Sequence, residues 1–134
     1  MWTGRCHCGS IRYELSLPNL YLTLCHCEDC RRSGGGPYQG WIFVPRKYFH
    51  LLAGELKVHR YEGRERSFCS DCGSPVTFAE SAFPDLVEVS AGTLDEAAKL
   101  VPRDNGWMQD HLPWVPVDAA LPQFLHTAPT PCLD

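Results

Sequence analysis

The sequence predicts a mainly β protein that forms one small domain with only short helical turns. Three observations favour this fold class: strand-like alternation recurs along the chain, helical periodicity is scarce, and prolines crowd the last third. A length of 134 residues suits one domain, which we place at 1–134, with a core at about 2–125 and a tail at 126–134. Apolar residues make up 44% of the chain, which is enough for a modest core.

Short strands are expected where apolar and polar residues alternate, or where β-branched and aromatic residues cluster. These segments are 10–16, 21–24, 38–44, 56–61, 75–79 and 86–90. Turn residues such as Glu62-Gly63 separate them. Helical turns are expected only at 28–33 and at 95–100, the latter with Thr93 as a candidate cap. The proline-rich last third should wrap the sheet in extended segments.

The charge balance and the cysteine count restrict the class of function. A net charge of −4 argues against a nucleic-acid partner, because such proteins usually carry a basic face. No apolar run approaches the ~18 residues of a membrane span, and no signal-peptide core is apparent. We therefore expect a cytoplasmic protein without a membrane partner. There, eight cysteines indicate metal or thiol chemistry rather than disulfides.

Seven of the eight cysteines fall in three short clusters. The clusters are Cys6-His7-Cys8-Gly9, Cys25-His26-Cys27-Glu28-Asp29-Cys30 and Cys69-Ser70-Asp71-Cys72-Gly73. Zinc prefers thiolate and imidazole ligands in a tetrahedron, and Cys-x-Cys or Cys-x-x-Cys hooks deliver two sulfurs to one ion. The first and third clusters both end in Cys-Gly, where glycine permits a tight turn. This shared feature predicts a closed structural zinc site formed by Cys6, Cys8, Cys69 and Cys72.

The remaining cysteines of the pattern predict a second, more labile zinc site with three sulfurs. Its ligands would be Cys25, Cys27 and Cys30, and an open fourth position could bind or activate a ligand. The alternative is a closed site with a fourth protein ligand. The candidates for that ligand are His26, His50, His59, His111, His126, Cys132 and Asp29. An extended hook should point His26 away from the metal.

Two arginines directly follow this triplet. Arg31 and Arg32 could offset the negative charge of a zinc ion with three thiolates, or clamp a substrate carboxylate bidentately. A solvated basic turn is the plain alternative. The backbone amides of residues 33–36 suit a small peptide-like ligand and a simple loop equally well.

The three-part cysteine pattern resembles the glutathione-dependent formaldehyde-activating enzyme family, which also includes centromere-protein-V-like domains. The resemblance covers segments 4–9, 25–32 and 68–74 and extends to Trp107 and Leu112-Pro113-Trp114. It implies a β-tent fold with two zinc ions, the structural one at the outer cysteine pairs and a catalytic one at the triplet. The activity of the family joins formaldehyde and glutathione into S-(hydroxymethyl)glutathione, or runs the reverse cleavage.

The leading hypothesis is a carbon–sulfur lyase or synthase that handles a glutathione-like thiol adduct of formaldehyde or another small aldehyde. Candidate proton shuttles are His26, His50, His59 and His111. We rank His111 first because a tryptophan-containing segment follows it, although those tryptophans are expected mainly in the core. A non-catalytic binding module with two structural zinc ions is the alternative, and thiol redox work or metal buffering is a third hypothesis. A homodimer is compatible with the sequence, which leaves the oligomeric state open.

Overall fold

The computed structural model describes residues 1–129, and residues 130–134, with Cys132, lie outside the description. Its strands are β1 (Trp2–Arg5), β2 (Arg12–Leu15), β3 (Leu22–Cys25), β4 (Gln39–Pro45), β5 (Phe49–Ala53), β6 (Leu56–Tyr61), β7 (Arg64–Cys69), β8 (Pro75–Glu80), β9 (Leu86–Ser90) and β10 (Pro102–Gly106). Over the described residues the helix α1 (Glu28–Gly34) is accompanied only by short 3₁₀ turns. The predicted mainly β class is confirmed. No helix within residues 1–129 is long and apolar enough to cross a membrane.

The strands form a small sheet and a large one. The small sheet has the order β1-β2-β5, and the large sheet has the order β10-β3-β4-β9-β8-β7-β6. Strands β10 and β3 are parallel, whereas the other described pairs are antiparallel. After β10 the chain passes through a 3₁₀ turn (Met108–Asp110) and two further turns before Gln123 bridges to Asn105, so the expected extended wrapping is interrupted by turns. Strand β10 therefore lies between β3 and this C-terminal segment.

Each of the six predicted strands is present, but four further strands were missed. Strands β1, β7 and β10 contain glycine, proline or dense charge, which give them a weak strand signal of their own. Strand β5 (Phe-His-Leu-Leu-Ala) lacks both β-branched residues and a clear alternation of apolar and polar residues. The helical turn expected at 95–100 is a 3₁₀ turn over Ala97–Lys99. Its proposed cap is wrong, because that turn has no side-chain cap and the Thr93 hydroxyl bonds to the Ser90 carbonyl instead.

The side chains of the large sheet alternate between two faces, and strand register determines which residues share a face. Phe43 of β4 lies opposite Glu88 of β9, which in turn lies opposite Phe78 of β8. The core face packs with the small sheet and carries Leu22, Ile42, Val44, Val76, Val87 and Val89. The opposite face, which we call the site face, carries Thr23, Cys25, Trp41, Phe43, Arg64, Arg66, Phe78, Glu80 and Glu88.

A close contact between β1 and β2 generates a stability prediction. A Cβ atom at Gly4 would overlap the ring of Tyr13, which is fully buried and bonded through its hydroxyl to Thr93 at 2.7 Å. We expect Gly4→Ala to lower the free energy of unfolding by about 1–3 kcal/mol, because the packed ring must move. Urea denaturation followed by tryptophan fluorescence measures this change.

The matched control for this substitution is Gly92→Ala. A Cβ at Gly92 meets no atom within 4 Å, so its effect should stay within about 0.5 kcal/mol. Equal unfolding midpoints for the two variants would contradict the tight packing of Tyr13 against β1.

Candidate metal centres and the adjoining cavity

Two clusters of cysteine sulfurs form in the folded chain. In the first, the Sγ atoms of Cys6, Cys8, Cys69 and Cys72 lie within 4.8 Å of one another. The first pair follows β1 and the second pair begins at the last residue of β7, so the cluster joins the small sheet to the large one. Gly9 and Gly73 follow these pairs with φ values of 84° and 79°, in the left-handed region that glycine tolerates.

The first cluster has the dimensions of a tetrahedral sulfur site. Cys8 Sγ lies 3.6 Å from Cys6 Sγ and 3.7 Å from Cys69 Sγ. Four sulfurs about 2.3 Å from one ion would lie about 3.8 Å apart, so these residues fit a bound metal. The hydroxyl of Ser10 lies 3.2 Å from the Sγ atoms of both Cys8 and Cys69. Hydrogen bonds from Ser74 lower the pKa of Cys72 to about 5, which favours the thiolate that a metal requires.

The second cluster forms where β3 runs into α1. Cys25 ends the strand, Cys27 caps the helix and Cys30 lies in its first turn, and the three Sγ atoms lie within 4.8 Å of one another. The Cys30 backbone N–H donates to Cys27 Sγ at 3.2 Å. On the other side, Trp41 Nε1 donates to Cys30 Sγ at 3.4 Å. The start of the helix and one indole therefore hold two of the three sulfurs.

Hydrogen bonding within this triplet favours the thiolate form of Cys27. The Cys25 thiol donates to Cys27 Sγ at 3.4 Å, and this hydrogen bond is the main cause that lowers the pKa of Cys27. The contact with Cys30 and the nearby charge of Arg66 act in the same direction. The triplet can thus offer negative sulfur to a cation, and each of the two clusters could bind a metal ion.

The triplet gathers three protein donors within 4.8 Å, and no histidine or carboxylate in residues 1–129 joins them. His26 is buried elsewhere, with Nε2 3.0 Å from Asn105 Oδ1. Asp29 is already engaged by Tyr61 and Arg66. The other four candidate histidines bond or stack with other groups, namely His50 with Ser16, His59 with Tyr61, His111 with Val115 and His126 with Gln109. Cys132 lies outside the described residues.

A charged network anchors α1 to the site face of the large sheet. Arg66 of β7 donates through Nη2 to Asp29 Oδ2 at 2.7 Å and through Nε to the Tyr61 hydroxyl at 2.7 Å. Tyr61 donates in turn to the same Asp29 oxygen at 2.7 Å. The Arg66 side chain is only 13% exposed, and its Nη2 also lies 4.0 Å from Cys30 Sγ. The network therefore positions the helix that carries two of the three sulfurs.

Beside the triplet, a cavity of about 450 Å³ opens on the site face. This volume is within the usual range of small-molecule pockets. Its apolar wall includes Trp41, Phe43, Phe78, Phe83, Leu86 and Trp107, and its charged groups include Glu28, Asp29, Arg64, Glu80, Glu88 and Asp110. The sulfurs of the triplet are thus reachable from a partly apolar, partly acidic cavity.

The structure separates several sequence-predicted residues from this cavity. Arg31 and Arg32 do not line it, and Arg32 donates instead to Glu28 on the surface at 2.8 Å. None of the candidate proton shuttles His26, His50, His59 and His111 lines it either. The expectation that the C-terminal tryptophans lie mainly in the core is wrong, because Trp107 lines the cavity and Trp114 is 70% exposed.

Comparison with known proteins identifies the family. The family model described as glutathione-dependent formaldehyde-activating enzyme matches residues 1–110. The chain belongs to this family. A relative from Halomonas elongata, whose name carries that activity as an unverified assignment, is 28% identical over 127 residues, or 87% of this chain and 80% of the relative. An uncharacterized lyase from Schizosaccharomyces pombe is 27% identical over 78 residues, which are 58% of this chain and 57% of that protein.

A crystal structure of a Rhodobacter sphaeroides protein shares the fold. It superposes with a TM-score of 0.60 at 23% sequence identity, covering 75% of this chain and 97% of that one. At this identity the likeness establishes the fold alone.

Sequence reasoning missed the residues that surround the triplet, above all Trp41, Arg66 and Glu88. They come from β4, β7 and β9, and only the sheet register places them on one face. A local signal existed for one of them. The turn at Glu62-Gly63 after a predicted strand indicates a hairpin, and its second strand would have contained Arg64 and Arg66.

The two clusters should respond differently to loss of one sulfur. We expect Cys69→Ser to lose one metal ion per chain and to lower the melting temperature, because that cluster joins the two sheets. Cys30→Ser should also lose one ion but should keep most of the thermal stability. Elemental analysis and thermal denaturation of both variants measure these effects. Equal losses of stability would contradict a division into joining and cavity-facing sites.

The anchoring network predicts a stability difference between neighbouring carboxylates of α1. Asp29→Asn should cost about 1.5 kcal/mol or more, because Arg66 loses its charged acceptor in a half-buried position. Glu28→Gln is the matched control, since its ion pair with Arg32 is exposed and should be worth less than about 1 kcal/mol. Chemical denaturation of both variants makes the comparison, and equal costs would argue against the anchoring role.

Proposed function

We propose that the chain is a zinc-dependent carbon–sulfur lyase or synthase that handles a glutathione-like thiol adduct of formaldehyde or another small aldehyde. One observation carries the proposal. Three cysteine sulfurs gather beside a cavity of about 450 Å³, and no fourth donor from the described residues joins them. A site with an incomplete ligand set at a cavity is typical of catalytic zinc, whereas structural zinc is enclosed by four ligands.

The chemistry of the donors supports zinc at both clusters. All-sulfur donor sets in tetrahedral arrangement select zinc or iron–sulfur centres, and the short paired hooks are typical zinc-binding spacings. We assign Cys6, Cys8, Cys69 and Cys72 to the structural ion and Cys25, Cys27 and Cys30 to the second ion. The names of the two curated relatives, a formaldehyde-activating enzyme and a lyase, support the reaction class.

The cavity walls suit a small thiol adduct. Trp41, Phe43 and Phe78 cover the sheet beside the triplet and would exclude water from the reacting carbon. Arg64 lies in the wall and could pair with a carboxylate of a glutathione-like thiol. A zinc ion, when bound at the triplet, would supply Lewis-acid stabilisation of the sulfur or oxygen that carries negative charge. A carboxylate clamp by Arg31 or Arg32 stays a prediction.

The activity can be tested with zinc-loaded protein, glutathione and ¹³C-labelled formaldehyde. We expect formation and cleavage of the S-hydroxymethyl adduct to be faster than in buffer, measured by rapid mixing and NMR. Cys30→Ser should lose this acceleration while it keeps the fold, because only the cavity-facing cluster is changed. Rates equal to those in buffer, across a range of thiols and aldehydes and with two ions bound, would exclude the proposed reaction.

A further inference from the structure

Glu88 is the one acidic residue of β9 and projects from the site face into the cavity that contains the triplet. The register places it between two aromatic residues, with Phe43 opposite it on β4 and Phe78 opposite it on β8. Two residues before Phe43 on β4, and on the same face, Trp41 donates to Cys30 Sγ at 3.4 Å. Same-face positions on a strand are about 7 Å apart, so Glu88 lies within reach of a small molecule held beside the sulfurs.

The Glu88 carboxyl has no structural partner among residues 1–129, where it makes neither a side-chain hydrogen bond nor an ion pair. Three other acids of the cavity do have partners: Asp29 accepts from Arg66 and Tyr61, Glu28 pairs with Arg32, and Asp110 accepts from the helix N-terminus. Glu80, like Glu88, makes no side-chain hydrogen bond or ion pair within residues 1–129. A half-buried carboxyl without a partner still costs stability, so the position of Glu88 between two aromatic residues in the cavity wall calls for a functional reason.

The surroundings of Glu88 favour its protonated form at neutral pH. Burial raises the pKa of Glu88 to about 8, and the carboxylate of Glu80 on β8 acts in the same direction. Arg66 on β7 acts against this shift, and Cys27 of the triplet adds to it. The charged and titratable groups that share the cavity or the site face with Glu88 are Glu28, Asp29, Arg64, Arg66, Glu80, Asp110 and the three cysteines. A carboxylic acid in such a place can donate a proton near pH 7.

We propose that Glu88 is the general acid of adduct formation and the general base of adduct cleavage in this cavity. The inference rests on the proposed function and adds a catalytic residue that none of the cysteine motifs contains. In synthesis, the thiolate sulfur forms a bond to the aldehyde carbon while the π pair of the C=O bond moves to oxygen. That oxygen takes the proton of Glu88, and the proton released when the next thiol ionises restores the acid. Cleavage runs the same transfers in reverse.

Substitution of this carboxyl by its amide tests the role. Glu88→Gln should keep the fold and both metal ions, because glutamine has the shape of the protonated acid. It should slow both directions by about 10²-fold or more, the usual contribution of a general acid or base. Wild-type synthesis at a fixed thiolate concentration should fall, and wild-type cleavage should rise, as pH increases through about 8, since synthesis uses the protonated form of Glu88 and cleavage the ionised form. The glutamine variant should lack both transitions.

Two further variants keep the test decisive. Glu55→Gln, an exposed residue outside the cavity, should leave rates and pH profiles unchanged. Glu80→Gln removes the neighbouring charge and should move the transition to lower pH, which a merely structural Glu88 would not show. Carboxyl ¹³C NMR of glutamate-labelled protein provides a readout without substrate: one carboxyl should titrate near pH 8 in the wild type and be absent from Glu88→Gln.

The outcomes separate this proposal from the one on which it rests. Wild-type rates equal to buffer would remove both the reaction and the role of Glu88. A wild type faster than buffer, together with a Glu88→Gln variant of equal rate and pH profile, would overturn the role of Glu88 alone. A Glu88 carboxyl that titrates near its ordinary value of 4.5 would overturn it as well.

Discussion

The alternating direction of side chains across the large sheet is the constraint on which this protein depends. Antiparallel register aligns Phe43, Glu88 and Phe78 across three neighbouring strands, so one face can bury aliphatic residues while the other carries polar chemistry. The core face packs with Tyr13 and Leu15 of the small sheet. A one-residue slip in any of these strands would exchange the two sets and remove both the core and the cavity.

Helix α1 packs on the site face and places two cysteine sulfurs against it. Cys27 caps the helix, Cys30 turns inward to the indole of Trp41, and Asp29 reaches β7 through Arg66. Seven helical residues cannot be stable alone, since isolated helices of that length do not form in water. The sulfur contacts and the charged network therefore stabilise the helix, and the helix in turn positions Cys27 and Cys30. Structure and site depend on the same bonds.

The cavity combines an apolar aromatic wall with several acidic side chains. Its apolar aromatic wall excludes water, and this raises the cost of any charge that lacks a partner. Asp29 escapes this cost through Arg66 and Tyr61, whereas Glu88 has only like-charged Glu80 and the more distant cations beside it. Two carboxyls in one cavity thus have different electrostatic surroundings, a difference that separates acid and base roles in many enzymes.

The sequence by itself determined the class of fold, the family and the division of cysteines between two clusters. Short hooks such as Cys6-His7-Cys8 and Cys69-Ser70-Asp71-Cys72 place their sulfurs through local geometry, so spacing alone predicts which of them can share an ion. The six strands with an alternating pattern or a cluster of β-branched and aromatic residues could likewise be predicted, because that signal is local.

The tertiary structure alone decided which side chains surround the triplet. Trp41, Arg66 and Glu88 come from strands far apart in the chain, and strand pairing depends on long-range contacts that no local pattern encodes. For the same reason Arg31 and Arg32, which follow the triplet in sequence, lie outside the cavity, whereas Arg64 of β7 lines it. Proximity along the chain predicts sulfur ligands, whereas proximity across a sheet requires the register.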